Sequence, residues 1–465
     1  MLQKFKKTNL IKIFFCICIA QIFFIPLIKY YTLNTFYADF GVFLNHIYNV
    51  IEEPSLILKG HFQPILYFFG FFNFFFSYET IPYILIFTQS IFILFCSFLI
   101  RKYFSFNSLI AFFLFVPTYT LAFKDFHLDF IFLLTFLFFF VFIKQKKFYS
   151  AILIQNLFFL SKEFYIIYSL LTNLYLINLF YNQNKSYLKY CYVSLILNSV
   201  LFIYTVYILL PSYNDGENII SNLNNNYNQN LFFNLNFFLD INFYKFLIIC
   251  VLPIIFVSFK DKKYWIFLVP NFLIIILFDN KNFYNYNSHY FSSFIPLLVY
   301  LIDKNINLAN RAFLIYLILI QLAFGNNIFS RLFWTSKIDE ISIHQILKIK
   351  QANNYKKIIS EYIPKSKDVL VITQNNINWH NLAYRKNYKI FPEGLEDNTY
   401  GAKFVILNRQ IEPFIGDEGC NYIYKKCENI FIQNEYSKIL NILMDSYEIL
   451  YKSKSLIILK NEIKK

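Results

Sequence analysis

The sequence predicts an α-helical polytopic membrane protein: a bundle of about eleven transmembrane helices, followed by a small α/β domain outside the cytosol. Three observations predict it. Hydrophobic residues make up 57% of the 465 residues and charged ones only 15%, against about 25% charged in an ordinary soluble domain. The apolar residues gather in runs near the roughly 20 residues needed to cross a hydrocarbon core. Basic clusters return at alternate ends of those runs, which is the positive-inside pattern. The 62 Phe and 38 Tyr would leave large apolar patches on a soluble domain of this size. The net charge of +15 does not point to nucleic acid, because the lysines fall between apolar runs rather than on one face.

The first domain is expected over residues 1–330. Lys4, Lys6, Lys7 and Lys12 flank the start of a run from Leu10 to Tyr31. That run is long for a signal peptide and no small-residue cleavage site follows, so an uncleaved first helix is expected, with a cytoplasmic N-terminus. An outer loop spans 32–80. Within it, Phe40, Phe43, Leu44, Ile47 and Ile51 recur at helical spacing, which predicts an amphipathic helix lying on the outer surface. Ile65 to Phe76 is too short to cross and reads as interfacial; a full crossing there would invert every later charge cluster.

Crossings then follow over Ile81–Ile100, Asn107–Phe123, Phe130–Ile143, Phe148–Leu160, Phe164–Tyr181 and Tyr190–Leu210. An Asn-rich outer loop spans 211–240. Phe243–Phe259, Tyr264–Phe278, Phe291–Ile302 and Ala312–Phe329 complete the bundle. On this layout Arg101/Lys102, Lys144 to Lys147, Lys185/Lys189, Lys260 to Lys263 and Lys304/Arg311 share the cytoplasmic side with the N-terminus.

From about residue 331 the charges become frequent and the apolar runs shorten. The domain over 331–465 is of usual size. Ile341–Tyr362 has helical spacing; Asp368–Thr373, Lys403–Leu407 and Ser455–Leu459 read as strands; Ile430–Met444 and Ser446–Leu450 read as helical. Of the seven cysteines, Cys16, Cys18, Cys96, Cys191 and Cys250 lie in apolar runs, where a thiol packs as a small hydrophobe. Cys420 and Cys427 lie in the polar tail and are able to pair in an oxidising compartment. No zinc spacing is present.

The same layout puts His46, His61, His127 and His289 on the outer side, with Asp39, Asp125, Asp129, Lys162 and Glu163. Ionisable groups at membrane helix ends are costly and mark a site when they converge; the plainer reading is that loops are polar. Asp39 stands near the start of the amphipathic helix, either as an N-cap worth about 1 kcal/mol or as a general base. Asp125, His127 and Asp129 form an Asp-x-His-x-Asp cluster, which suits either a divalent metal or a helix cap. Lys162 and Glu163 form a solvent-facing turn or a phosphate-binding lysine held by a carboxylate. No Gly-rich phosphate loop, Ser-His-Asp signal or HExxH is present, and with nine glycines a nucleotide-driven motor is not expected.

Taken in order, YADFGVFLNHIYNV, GHFQPILYFF, DFHLDF, LSKEF, NSHYFSSFIPLLVYLI, IPKSKDVLVITQNNINWHNLAYRKNYKIFPEG and AKFVILN resemble the bacterial family called domain of unknown function 2079. That family belongs to the GT-C superfamily of membrane glycosyltransferases. Its tail pattern is matched by Ile363-Pro364, Asn375-Asn376, His380, Arg385 and Phe391-Pro392, while Trp379 stands where the family usually has Pro. The resemblance implies a GT-C-like bundle in the inner membrane that moves a sugar from a polyprenyl-phosphate carrier to an extracytoplasmic acceptor. It implies Asp39 as the catalytic acid–base group and Lys162 as a partner of the leaving phosphate. It implies a substrate pocket shaped by His61 and His127, with Asp125, Glu163 and His289 beside them. The resemblance fixes no cofactor and leaves a divalent metal open. The alternatives are a transporter or flippase of a lipid-linked or polar solute, and a non-catalytic assembly protein.

Overall fold

The computed structural model describes residues 2–35, 40–58, 61–123, 125–181, 185–213, 236–277, 283–336, 342–374, 377, 379–386, 388–391, 403–408 and 447–461. Four helices are long and apolar enough to cross a bilayer: Asn9–Tyr31, Ile81–Tyr103, Lys185–Ser212 and Ile241–Ser258. A bent pair, Phe106–Leu114 and Val116–Phe123, makes a fifth if counted as one span. These helices fit a helical membrane protein. Against about eleven crossings expected, the other expected segments are helices of 16 residues or fewer, such as Asp129–Lys144 and Tyr165–Phe180, or helices pieced together from shorter turns.

The breaks have local causes. The bent pair turns by 57° because Phe115 leaves the helical region (ψ 120°). Pro117 then sits in the first turn of the second helix, where its missing N–H leaves nothing unpaired. Two π turns, Thr205–Leu209 and Leu247–Val251, lie just ahead of Pro211 and Pro253. A proline ring crowds the turn before it, and widening that turn relieves the clash.

The segment expected to be interfacial forms Ile65–Gly70 and a 3-10 turn, Phe71–Phe74. Ten residues rise about 15 Å, half of a hydrocarbon core. Phe68, Phe71, Phe74 and Phe75 are exposed. Gly70 lies so close to the preceding helix that a β-carbon there would meet Val50 Cγ1 at 2.3 Å. That preceding helix, Val42–Asn49, corrects an expectation: it does not lie open on the surface. Leu44 and Ile47 are fully buried, and His46, Tyr48 and Asn49 nearly so. One face packs on the aromatic cluster of Phe43, Phe69 and Phe126. The other is covered by the C-terminal unit, where Asn45 Nδ2 donates to the carbonyls of Ala383 (2.9 Å) and Arg385 (2.6 Å).

The C-terminal unit contains the helix Ile349–Tyr362 and five strands: β1 Leu370–Thr373, β2 Tyr388–Ile390, β3 Lys403–Asn408, β4 Glu448–Lys452 and β5 Leu456–Asn461. Their order is β2-β1-β3-β5-β4. The β1 strand is parallel to both neighbours, and β5 is antiparallel to β3 and β4. The central strands read as apolar runs because both faces are covered. The expected helix over Ser446–Leu450 is instead edge strand β4, held by backbone pairing to β5; five residues are too few for periodicity to separate the two. The Ile430–Met444 helix and the Cys420–Cys427 pair lie outside the described residues.

The unit is tied to the first helix by a reciprocal pair. The His380 backbone N–H donates to Tyr30 Oη (3.1 Å), and Tyr30 Oη lies 2.9 Å from His380 Nδ1. The direction of the bond between Tyr30 Oη and Nδ1 follows the ring tautomer, since the hydroxyl oxygen is able to accept twice. Burial and the Lys356 charge push the imidazole down to about 4.

Candidate functional site

Asp129 opens the helix Asp129–Lys144, and the preceding residues 125–127 are non-helical. Gln89, from the middle of Ile81–Tyr103, clamps that turn. Its Nε2 donates to the carbonyls of Leu121 (3.0 Å) and Asp125 (3.2 Å), and its Oε1 accepts from the His127 backbone N–H (3.0 Å). The clamp aims the His127 ring at His289, which comes from the short turn His289–Phe291 ahead of Phe294–Lys304. The two imidazoles stack with centroids 3.7 Å apart, tilted by 20°. Phe43 closes edge-on against His127 (5.8 Å), and Tyr290 packs on His289 (4.3 Å).

Both rings turn a nitrogen toward one carboxylate oxygen. His127 Nδ1 and His289 Nε2 are each 4.0 Å from Asp129 Oδ2. The other oxygen of Asp129 accepts from Tyr165 Oη, which lies 3.1 Å from Ser292 Oγ. One donor atom from each of His127, Asp129 and His289 fits within a span of 4.8 Å. All three residues are buried, at 5, 6 and 9% exposure. These are the residues able to hold a metal ion.

The cluster continues toward the other sequence-predicted groups. Tyr290, beside His289, carries the Lys162 ammonium over its ring at 5.3 Å. The next residue, Glu163, is buried and accepts from the Phe62 backbone N–H (2.8 Å) while pairing with His61 Nδ1 (2.8 Å). Burial works against the Glu163 carboxylate, but His61 and the Lys162 charge outweigh it and hold it below the ordinary carboxylate value. The expected Lys162–Glu163 couple is therefore corrected: His61 and a backbone N–H hold the carboxylate. Among the described residues the Lys162 ammonium has no ion-pair partner. His61, His127, Lys162, Glu163 and His289 thus form one chain of contacts, from four loops far apart in sequence.

Asp125 does not join it. The chain turns between Asp125 and Asp129, so the three side chains of the Asp-x-His-x-Asp motif do not share a face. Asp125 instead pairs with Lys29 Nζ at 2.8 Å, both side chains almost wholly buried, and Lys29 also donates to the Phe123 carbonyl (3.3 Å). Asp39 lies outside the described residues. Its neighbour Phe40 is fully buried, packed on Tyr30 and Phe126.

Set beside protein-family models, curated proteins and solved structures, the chain matches none of them. Its site has to be read from its own residues. Sequence reasoning missed several of these. Lys29 had a usable signal, a lone cation near the end of an apolar helix, and Gln89 a weaker one, a lone amide in the middle of another. Tyr165 had none, as one tyrosine among 38.

Proposed function

We propose that this protein is a glycosyltransferase of the GT-C type. It takes a sugar from a polyprenyl-phosphate donor in the inner membrane and passes it to an extracytoplasmic acceptor. The N-terminus is cytoplasmic, about eleven crossings form the bundle, and the α/β domain lies on the acceptor side. One feature carries this reading: the loops of His61, His127, Lys162 and His289 join in one chain of contacts, in which, among the described residues, the Lys162 ammonium lies over the Tyr290 ring without an ion-pair partner. Such a cation suits a phosphate oxygen, which gains charge as the sugar leaves. Asp39 accepts the proton of the attacking hydroxyl as the acceptor oxygen bonds to the anomeric carbon. The bond from that carbon to the phosphate oxygen breaks, and the phosphate keeps the electron pair. His61 and Glu163 position Lys162 and its loop.

The test is a transfer assay with purified protein and a panel of polyprenyl-phosphate-linked sugars. Asp39→Asn is expected to lower turnover by about 100-fold or more, on the scale of a lost general base. Lys162→Gln is expected to lower it by about 100-fold, on the scale of one lost electrostatic donor. Full activity in Asp39→Asn rejects the catalytic assignment.

A second reading, a carrier of lipid-linked solutes, draws on the 57° break between Phe106–Leu114 and Val116–Phe123, since broken helices form carrier sites. Lipid-linked sugar crossing proteoliposomes without any transferred product would favour it.

A further inference from the structure

We propose that His127, Asp129 and His289 bind one divalent transition-metal ion. The inference deepens the transfer reading, because the ion would lie on the far side of Tyr290 from Lys162 along one chain of contacts and offer a second charge to a phosphate oxygen.

The donor set argues for it first. Two imidazole nitrogens and one carboxylate oxygen suit zinc, manganese, iron or cobalt. Calcium and magnesium prefer oxygen ligands alone, and among the described residues no cysteine joins the cluster. Spacing argues for it next. Donor atoms about 2.0–2.1 Å from a tetrahedral ion stand about 3.3 Å from one another. The two imidazole nitrogens are 4.0 Å from Asp129 Oδ2, and an ion bound by all three requires the stacked rings to open so that both in-plane lone pairs meet at one point. At 4.0 Å neither ring hydrogen-bonds the carboxylate, a contact that needs about 3 Å.

The surroundings complete the case. Tyr165 donates to the second oxygen of Asp129 and is itself anchored at Ser292. This is the outer support that fixes a ligating carboxylate. Three protein ligands leave one or more positions for a phosphate oxygen or water, as catalytic rather than structural sites do.

The experiment uses the full-length protein in detergent, stripped with chelator and titrated with cobalt(II). Visible absorption reports imidazole coordination, and zinc competes. One ion per chain is expected. His127→Ala and His289→Ala should each weaken binding by more than about tenfold, and Tyr165→Phe by about tenfold through the outer support alone. His344→Ala, at an exposed position outside the site, should bind cobalt as the unaltered protein does. Tyr165→Phe keeps the test open if an imidazole variant fails to fold. Absence of saturable binding, or His127→Ala and His289→Ala binding like the unaltered chain, overturns the proposal. One bound cobalt without sugar transfer keeps the metal site and removes the transfer reading. Transfer by a chain that binds no metal does the reverse.

Discussion

One helix joins two ends of the bundle that treat charge in opposite ways. Asp129 and Lys144 are the first and last residues of Asp129–Lys144, about 22 Å apart at 1.5 Å per residue. At the lysine end, Lys144 pairs with Asp303 at 2.5 Å and Lys304 with Asp261 at 3.2 Å. These side chains stay open to solvent, at 40 and 14% and at 33 and 24% exposure. At the histidine end, Asp129 and its imidazoles are at most 10% exposed, and Lys29–Asp125 is sealed at 1 and 0%. Exposed pairs contribute little stability. Buried ones carry a desolvation cost that packing with apolar residues would avoid. The lysine end therefore reads as orientation, and the histidine end as a site that stability alone does not call for.

Removing groups from each end sharpens that contrast. The largest effect is expected at Lys29. Lys29→Met strands Asp125 in the interior and should cost about 3–5 kcal/mol in thermal unfolding of the detergent-solubilised protein. Adding Asp125→Leu should recover most of it; a double variant as unstable as the single one breaks the argument.

Next comes the seam between bundle and sheet. The folded His380 sits at about 4 and the unfolded imidazole near 6.5, so the unfolded chain binds the extra proton between those values. Stability is then held above pH 6.5 and lost as pH falls toward 4, by on the order of 3 kcal/mol. Unfolding measured against pH in unaltered protein and in His380→Gln should show that slope only in the former.

Glu163→Gln keeps an acceptor for the Phe62 N–H but loses the charge facing a half-exposed His61. The expected loss is about 1 kcal/mol. The smallest effect belongs to the lysine end: Lys144→Ala should shift stability by less than about 1 kcal/mol. A larger loss there than at Glu163 would erase the distinction between the ends.

Much of this was legible in the sequence because apolar run length is a direct consequence of bilayer thickness. The long helices at Asn9–Tyr31 and Ile81–Tyr103 fall where the runs do. So do β1, β3 and β5, whose apolar runs show where both faces of a sheet are covered. Breaks were harder. Phe115 sits inside an unbroken apolar stretch, and nothing in its neighbours' hydropathy announces a 57° turn. The site was half visible: histidines and acids between the apolar runs stood out against a lysine-poor background. Which of them meet depended on chain turns of a few residues, so Asp125 went to Lys29 while His289 came to His127.

The sidedness of the four polar loops bears most directly on the whole reading. Single cysteines at positions 162, 61, 146 and 263, in a chain whose seven native cysteines are replaced by alanine, can be labelled in intact cells with an impermeant maleimide. Labelling of Lys162→Cys and of His61→Cys, whose side chain is 45% exposed, is expected from outside, with Lys146→Cys and Lys263→Cys reached only after permeabilisation. Labelling of positions 162 and 61 from opposite sides, or of both only after permeabilisation, would contradict it.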